Sequence, residues 1–405
     1  MKHPHFLLIF IWNVFHNKHI EERMKLSSYI FICLLIAFVF PTAIFAQNDK
    51  EEKEIHQFTI LYNVEATPVK SQGRTNTCWD FSTISFLESE LLRVGKGEYN
   101  LSEMYIVRNL YPIKAEKYVR YHGLTKFGEG GQAHDVLFAI KNFGVVPEEI
   151  YPIRSSENEK PDQSEMVAVL KASLDAILNN RGTVENHSEE VCNAILDIYL
   201  GKIPNHFEYN GKQYTPKSFA EELNLNPDDY VEITSYRRYP FYEKSVLEIP
   251  DNWTNNEYYN VPIDDMMRII DNAIKNGFSI EWDGDDSENT FYRKKGYAVI
   301  PVDEEENKDD DEELTPEIEK VIAQEMREET FNRFQTTDDH LMHITGIAED
   351  QAGTKFYYTK NSWGTKNKYD GYWYLSEAFV RLKTIAVMVH KDAIPDDLKS
   401  RLGIY

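Results

Sequence analysis

A chain of 405 residues that is 42% hydrophobic and 13% aromatic carries enough apolar material for a substantial core, which excludes disorder throughout. Its length suits two or three domains or one large compact unit. The formal net charge is −23, from 44 Lys and Arg against 67 Asp and Glu, and a surface of that sign repels phosphate backbones, so no nucleic-acid partner is expected.

From Met24 the chain reads MKLSSYIFICLLIAFVFPTAIFAQNDK: a lysine, an apolar run from Tyr29 to Phe40, then small residues ending at Ala46. This is the pattern of a secretory signal peptide cleaved after Ala46, and it predicts an exported, periplasmic protein. The run is shorter than the roughly 20 residues of a membrane-spanning helix. No stable membrane span is therefore expected once the leader is gone, with an uncleaved anchor as the alternative. Residues 1–23 precede a second Met-Lys start, so translation begins at Met1 or Met24 and these residues are set aside. Cys33 lies inside the apolar run rather than at its small-residue end, which argues against a lipid-anchored cysteine. Beyond Ala46 there remain 40 basic against 65 acidic side chains, a net charge of −25.

After a polar lead-in, FTILYNVEATPVKSQG predicts a short strand and an extended approach to Cys78. From there Phe81, Ile84, Leu87 and Leu91 recur at helical spacing, and Gly95 follows as a stop. A second helix is expected over SEMYIVRNLY, and a third after Gly130 and Gly131 in FGEGGQAHDVLFAIKNFG. Between Pro161 and Leu223, SEMVAVLKASLDAILNN and EEVCNAILDIYLGK are helical by periodicity, and Thr215 before Pro216 marks another helix start. Strand-like segments then dominate: YVEITSYRRYPF, FSIEWDG, GYAVIP, HLMHITGIAED, KFYYTKNSWG, GYWYLS and TIAVMVH, with one clear helix, IDDMMRIIDNAIKNG, among them. The class is α+β. The expected divisions are a leader over 1–46, an N-terminal half over 47–160 carrying the Cys78 helix, a helical insertion over 161–230, and a strand-rich half over 231–405. The acidic run Asp303–Glu313 lacks the spacing and glycine of a calcium loop and reads as a solvated loop.

Past the leader only Cys78 and Cys192 remain. They could form one disulfide in an exported protein, yet their settings differ. Cys192 sits in an apolar-periodic helix and reads as core. Cys78 stands where a polar loop, SQGRTNT, enters a helix, and the positive end of a helix favours the thiolate. Such a nucleophile needs an imidazole, an orienter for it, and donors for the developing oxyanion. Gln72, six residues upstream, is placed to fold its amide toward the sulfur, though alone it reads better as a polar loop residue. In DDHLMHITG, His340 and His343 cannot share one face of a strand. His340, at the strand's beginning behind Asp339, is the candidate, and His343 reads as structural. Asn361 in the next strand-like segment can accept the imidazole's other N–H, with Trp363 covering that bond from water.

Together, Gln72, Cys78-Trp79, Asp339-His340 and Asn361-Ser362-Trp363-Gly364 resemble the papain-like cysteine peptidases. The Cys78 to His340 separation of 262 residues far exceeds the roughly 130–150 of papain and the cathepsins. It resembles the branch of bleomycin hydrolases and bacterial aminopeptidase C, as do Gly130-Gly131-Gln132, GVVPEEIYP, the insertion segment NGKQYTPKSFAEEL, and His340-Leu341-Met342 with Thr345. The resemblance implies a two-lobed fold, one lobe helical and one an antiparallel, barrel-like sheet. It implies Cys78 as nucleophile, His340 as base and then acid, Asn361 as orienter and Gln72 as oxyanion donor. Gly130, Gly131 and Trp363 would line the peptide substrate, no cofactor or metal is called for, and a homohexamer is the family's frequent assembly. The family's C-terminal tail enters the cleft and takes the substrate's α-ammonium, which here would assign AIPDDLKSRLGIY and Tyr405 to substrate binding. The loop Arg74-Thr75-Asn76-Thr77 departs from the family by lacking its usual glycine, which predicts a stiffer approach to Cys78. The expected activity is a thiol aminopeptidase acting through an acyl-enzyme. The alternatives are an endopeptidase with a displaced tail, or a peptide-binding or assembly protein on the same scaffold.

Overall fold

The computed structural model describes residues 56–153, 160–180, 187–302, 316 and 318–405. The leader and the acidic run fall outside the described residues. Strand β1 (Thr59–Asn63) leads to α1 (Cys78–Arg93), which is buried from Cys78 through Leu91. A helix enclosed on all sides must satisfy its polar residues internally. Glu88 does so by accepting from the Thr67 hydroxyl at 2.5 Å, Lys70 at 3.0 Å and the Leu101 N–H at 2.9 Å. Gly95, with φ of +74°, follows the C-cap Val94.

Helix α2 (Glu103–Arg120) starts on Ser102, whose hydroxyl accepts from the Tyr105 N–H at 3.1 Å. The apolar pattern predicts a stop near Tyr111, but the helix runs through Pro112 to Arg120. A proline inside a helix costs about 3 kcal/mol, and burial of Ala115 and Tyr118 on the continuation offsets it. Helix α3 (Ala133–Phe143) follows Gly130 and Gly131, and the Asp135 carboxylate accepts the Gln132 N–H at 2.9 Å at its start.

The next stretch supplies α4 (Ser164–Asn179), α5 (Ser188–Tyr199), the hairpin β2 (Phe207–Tyr209) and β3 (Lys212–Tyr214), and α6 (Pro216–Leu223). Thr215 caps α6 by accepting the Ser218 N–H at 3.1 Å, with Pro216 in the first turn, as the sequence predicts. Met166, Leu170, Leu174, Leu196 and Phe219 on these elements join the apolar cluster of α1, α2 and α3. Cys192 is buried in that cluster, and both Cys78 and Cys192 are free thiols, so the disulfide alternative is not realised.

The second half forms a mixed sheet of eleven strands. It comprises β4 (Tyr230–Thr234), β5 (Lys244–Val246), β6 (Glu257–Asn260), β7 (Ile280–Gly284), β8 (Phe291–Tyr292), β9 (Tyr297–Ala298), β10 (His340–Glu349), β11 (Lys355–Lys360), β12 (Tyr372–Ser376) and β13 (Thr384–His390), joined by β1. The order is β5-β6-β4-β13-β7-β10-β11-β12-β9-β8, with β1 on β10, and all pairings are antiparallel except β4 with β6 and β9 with β12. Helix α7 (Ile263–Lys275) lays Met266, Ile269, Ile270 and Ala273 into one apolar cluster with Met342 and Ile344 of β10, while Leu341 belongs to the cluster of α1. The period-two alternation thus separates His340 from His343, as the sequence predicts. His343 faces α1 and is bonded to the Ser85 hydroxyl at 2.9 Å, buried and structural. The short helices α8 (Gln324–Asn332), α9 (Glu377–Lys383) and α10 (Asp396–Leu402) are not foreseen by the sequence pattern.

Candidate active site

Cys78 is the first residue of α1 and is 8% exposed. The backbone N–H groups of Leu341 and Trp79 bond to its sulfur, which brings the start of α1 against the start of β10. Burial nevertheless pushes the thiol up to about 12, opposed by those two donors and reinforced by the nearby Asp338 and Asp283 carboxyls. The helix N-terminus favours thiolate and enclosure opposes it, so the two act on the Cys78 proton in opposite directions.

His340, the first residue of β10, is buried. Its Nε2 lies 2.8 Å from Asn361 Oδ1, and because an amide oxygen only accepts, Nε2 is the donor and Nδ1 keeps its lone pair. Burial lowers the basicity of this imidazole; Asp286 and the Asn361 bond raise it, and Arg293 lowers it further. An imidazole whose Nδ1 is free and a thiol can ionise together by moving one proton. Asn361, just past β11, also accepts the Ser362 N–H at 2.7 Å, so its oxygen is fixed from two directions.

Gln72 is joined to the same segment. Its N–H donates to the Ser362 carbonyl at 2.9 Å, and its side-chain Oε1 accepts from the Ser362 hydroxyl at 2.6 Å. With Oε1 so held, Nε2 points one N–H at the Thr75 carbonyl, 2.5 Å away, and retains a second. The loop that lacks the usual glycine is tied down by threonines: Thr75 Oγ1 donates to the Gln72 carbonyl at 2.8 Å and lies 2.6 Å from Thr77 Oγ1. An amide donor locked ahead of the reaction stabilises an oxyanion without reorganising.

A family model for the Peptidase C1-like family matches residues 39–403. The chain belongs to that family. Aminopeptidase G of Lactobacillus delbrueckii subsp. lactis is 24% identical over 379 residues, covering 83% of each chain. Aminopeptidase C of Listeria monocytogenes is 22% identical over 394 residues, covering 87% of each. The crystal structure of PepW from Lactobacillus rhamnosis HN001 has the same fold, with a TM-score of 0.66 at 19% identity over 85% of this chain and 84% of that one.

In this Peptidase C1-like chain Trp363 is half-buried and stacks on His340, ring centroids 4.6 Å apart and planes 23° from parallel. Gly131 lies against Trp79, whose ring a Cβ would meet at 2.9 Å, and a Cβ on Gly130 would overlap the Asp251 carboxylate. Glycine is needed at both positions for this close approach. Lys114 donates to the Gly130 carbonyl, so part of the backbone that a peptide would pair with is already engaged. Tyr405 is fully exposed, and among the described residues no contact joins it to this group. The preceding Leu398, Leu402 and Ile404 are buried in the cluster of α7.

Sequence reasoning missed three features of the site. Asp338 accepts from Gln132 Nε2 at 2.9 Å across the two lobes. Arg293 lies 4.6 Å above the Trp363 ring and pairs with Asp286 at 2.8 Å. The Leu341 N–H reaches the sulfur. The doubled aspartate before His340 was the one available signal.

Proposed function

We propose that the protein is a cysteine aminopeptidase that releases residues from the free amino end of peptides, with Cys78, His340, Asn361 and Gln72 as its catalytic set. The observation that carries this reading is the 2.8 Å bond that fixes His340 to Asn361 while the next residue, Leu341, bonds to the Cys78 sulfur. The names of the relatives, aminopeptidases G and C, agree with it.

In the first half-reaction the Cys78 proton moves to His340 Nδ1 as the sulfur bonds to the scissile carbonyl carbon. The oxygen gains the negative charge, which the spare Gln72 N–H and the Cys78 backbone N–H receive. Collapse breaks the C–N bond, and His340 gives its proton to the departing amine. In the second half a water loses its proton to His340 and adds to the thioester. The C–S bond then breaks and the sulfur recovers its proton. Through both steps Asn361 keeps the imidazole in the tautomer that leaves Nδ1 free.

The Met24 to Ala46 leader supports export and cleavage, which N-terminal sequencing of protein from the periplasmic fraction tests. The resemblance supports a homohexamer, and a monomeric mass by sedimentation equilibrium would reject it.

The deciding experiment is hydrolysis of a panel of aminoacyl 7-amido-4-methylcoumarins by wild type and Cys78→Ala. Turnover by wild type, abolished by the substitution, is expected. Equal turnover by both would assign the chemistry elsewhere.

A further inference from the structure

Strands β8 and β9 are joined by a turn through Arg293, Lys294, Lys295 and Gly296, and the three cations at its tip are exposed. In a chain whose formal charge is −23, three consecutive cations beside a catalytic group stand out. The turn is firmly held. The Gly296 N–H donates to the Tyr292 carbonyl at 2.9 Å, and the Gly296 carbonyl accepts from the Tyr374 N–H at 2.9 Å. Gly296 has φ of +75°, and a Cβ there would meet the Tyr369 ring at 2.6 Å, so glycine is required. Arg293 lies 4.6 Å over the ring of Trp363, which is itself stacked on His340 at 4.6 Å, and its charge acts on His340. Its Nη2 donates to the buried Asp286 at 2.8 Å. A guanidinium carries five N–H donors in a planar fork. Among the described residues Asp286 is its one hydrogen-bond partner, and the side chain is 59% exposed, so most of the fork is open to a ligand.

We propose that Arg293, with Lys294 and Lys295 beside it, binds a carboxylate on the leaving half of the substrate, so that the site favours short peptides with a negative charge close behind the bond being cut. The inference rests on the reading of His340 as the acid that protonates the departing amine, and it names the substrate class of that same site. The acyl half stays on Cys78 while the leaving nitrogen takes its proton from His340, so groups packed on the imidazole from the strand-rich half face the leaving half. Trp363 is such a group: it stacks on the ring and forms a bridge with Ser71, next to Gln72. Gly131, by contrast, lies against Trp79, the neighbour of the nucleophile on α1.

The reach is short. At most two spacings of 4.6 Å separate the guanidinium from the imidazole, and an extended chain advances roughly 3.3–3.6 Å per residue. A carboxylate within roughly three residues of the cut bond therefore arrives at Arg293. It can be the C-terminus of a short peptide or an acidic side chain, and both present the two oxygens that a planar fork matches.

The test compares Ala-Ala-Ala with Ala-Ala-Ala-amide, and Ala-Asp-Ala-amide with Ala-Asn-Ala-amide, in wild type and Arg293→Gln, from initial rates of alanine release. In each pair the readout is kcat/KM for the carboxylate member divided by that for its neutral counterpart. The ratio does not depend on how much of the variant is folded, and any effect passing through Trp363 or His340 cancels in it. Wild type is expected to favour the carboxylate by about 5- to 20-fold, chiefly through KM, the scale of a charge-assisted hydrogen bond at a half-exposed guanidinium. Arg293→Gln should bring the ratio close to one, and Arg293→Lys, which keeps the charge without the fork, should retain part of it. Added salt should shrink the wild-type preference. Preference in the first pair alone assigns the C-terminal carboxylate, and in the second alone the acidic side chain; either supports the anchor. A guanidinium that only covers Trp363 would lower both members of a pair alike. Wild-type ratios of one in both pairs, or a preference that Arg293→Gln leaves unchanged, overturn the anchor. The aminopeptidase reading then still stands on turnover of alanine 7-amido-4-methylcoumarin, whose leaving group has no carboxylate. Wild type that hydrolyses neither the peptides nor any aminoacyl coumaride removes that reading too.

Discussion

Trp363 lies flat on His340 at a centroid separation of 4.6 Å and itself carries the Arg293 guanidinium at 4.6 Å, so the imidazole forms the inner layer of a three-layer stack. His340 and Asn361, joined at 2.8 Å, are both buried, so their bond is kept from water. A hydrogen bond kept from water holds its geometry more firmly than an exposed one. Replacing Trp363 with Ala should therefore lower kcat about tenfold, the scale of one neutral hydrogen bond weakened by water. Asn361→Ala should cost more, since the ring loses its tautomer as well as its aim. Steady-state kinetics on an aminoacyl coumaride decide the order; a larger loss from Trp363→Ala than from Asn361→Ala would contradict it.

Gln72 gives a sharper separation of roles. Its amide is fixed by Ser362 and Thr75 and has one N–H to spare. Gln72→Ala should reduce kcat by about 10²- to 10³-fold, as loss of one oxyanion donor does elsewhere. Alkylation of Cys78 by iodoacetamide forms no oxyanion, so its rate should change only a few-fold. Parallel loss in both assays would mean that Gln72 supports the loop and not the reaction.

How far the sequence disclosed this site depends on the range of the physics involved. Cys78 at a helix start, the alternation that separates His340 from His343, and Asn361 followed by Trp363 are local patterns, and each survives folding intact. The Thr215-Pro216 start of α6 is equally local. What escaped is decided by tertiary burial. Helix α2 passes Pro112 because Ala115 and Tyr118 find a core, and α10 has only seven residues, too few for a periodic signal. Enclosure and the Asp338 and Asp283 carboxyls all oppose ionisation of Cys78, and Asp283 is 205 residues distant in sequence. No window along the chain contains both.

The acid limb of activity offers a test by sign. His340 must be neutral to accept the thiol proton, and burial holds its pKa below the ordinary imidazole value of about 6.5. The acid limb of kcat/KM should accordingly lie below that value. Asp286 raises this pKa and Arg293 lowers it. Asp286→Asn should move the limb to more acidic pH and Arg293→Gln to less acidic pH, each by about half a unit once salt screening is allowed for. Shifts of the same sign in both variants would show that the limb belongs to another group.

Stability should carry a signature of the buried acids. Glu281 on β7 is 1% exposed, and its Oε1 accepts from the Ser82 hydroxyl at 3.3 Å. Burial first, and then Glu232, raises its pKa well above the ordinary carboxylate value. A group whose folded pKa is raised contributes stability that is full below the unfolded pKa and is lost as pH climbs through the folded one. Glutamine fits the same space, keeps an acceptor for Ser82 and has no proton to lose. The melting temperature of Glu281→Gln should match wild type near pH 4 and exceed it increasingly as pH rises, each unit of relieved shift being worth about 1.4 kcal/mol. A difference that stays level from acid to alkaline pH would mean that Glu281 ionises as freely in the folded chain as in the unfolded one.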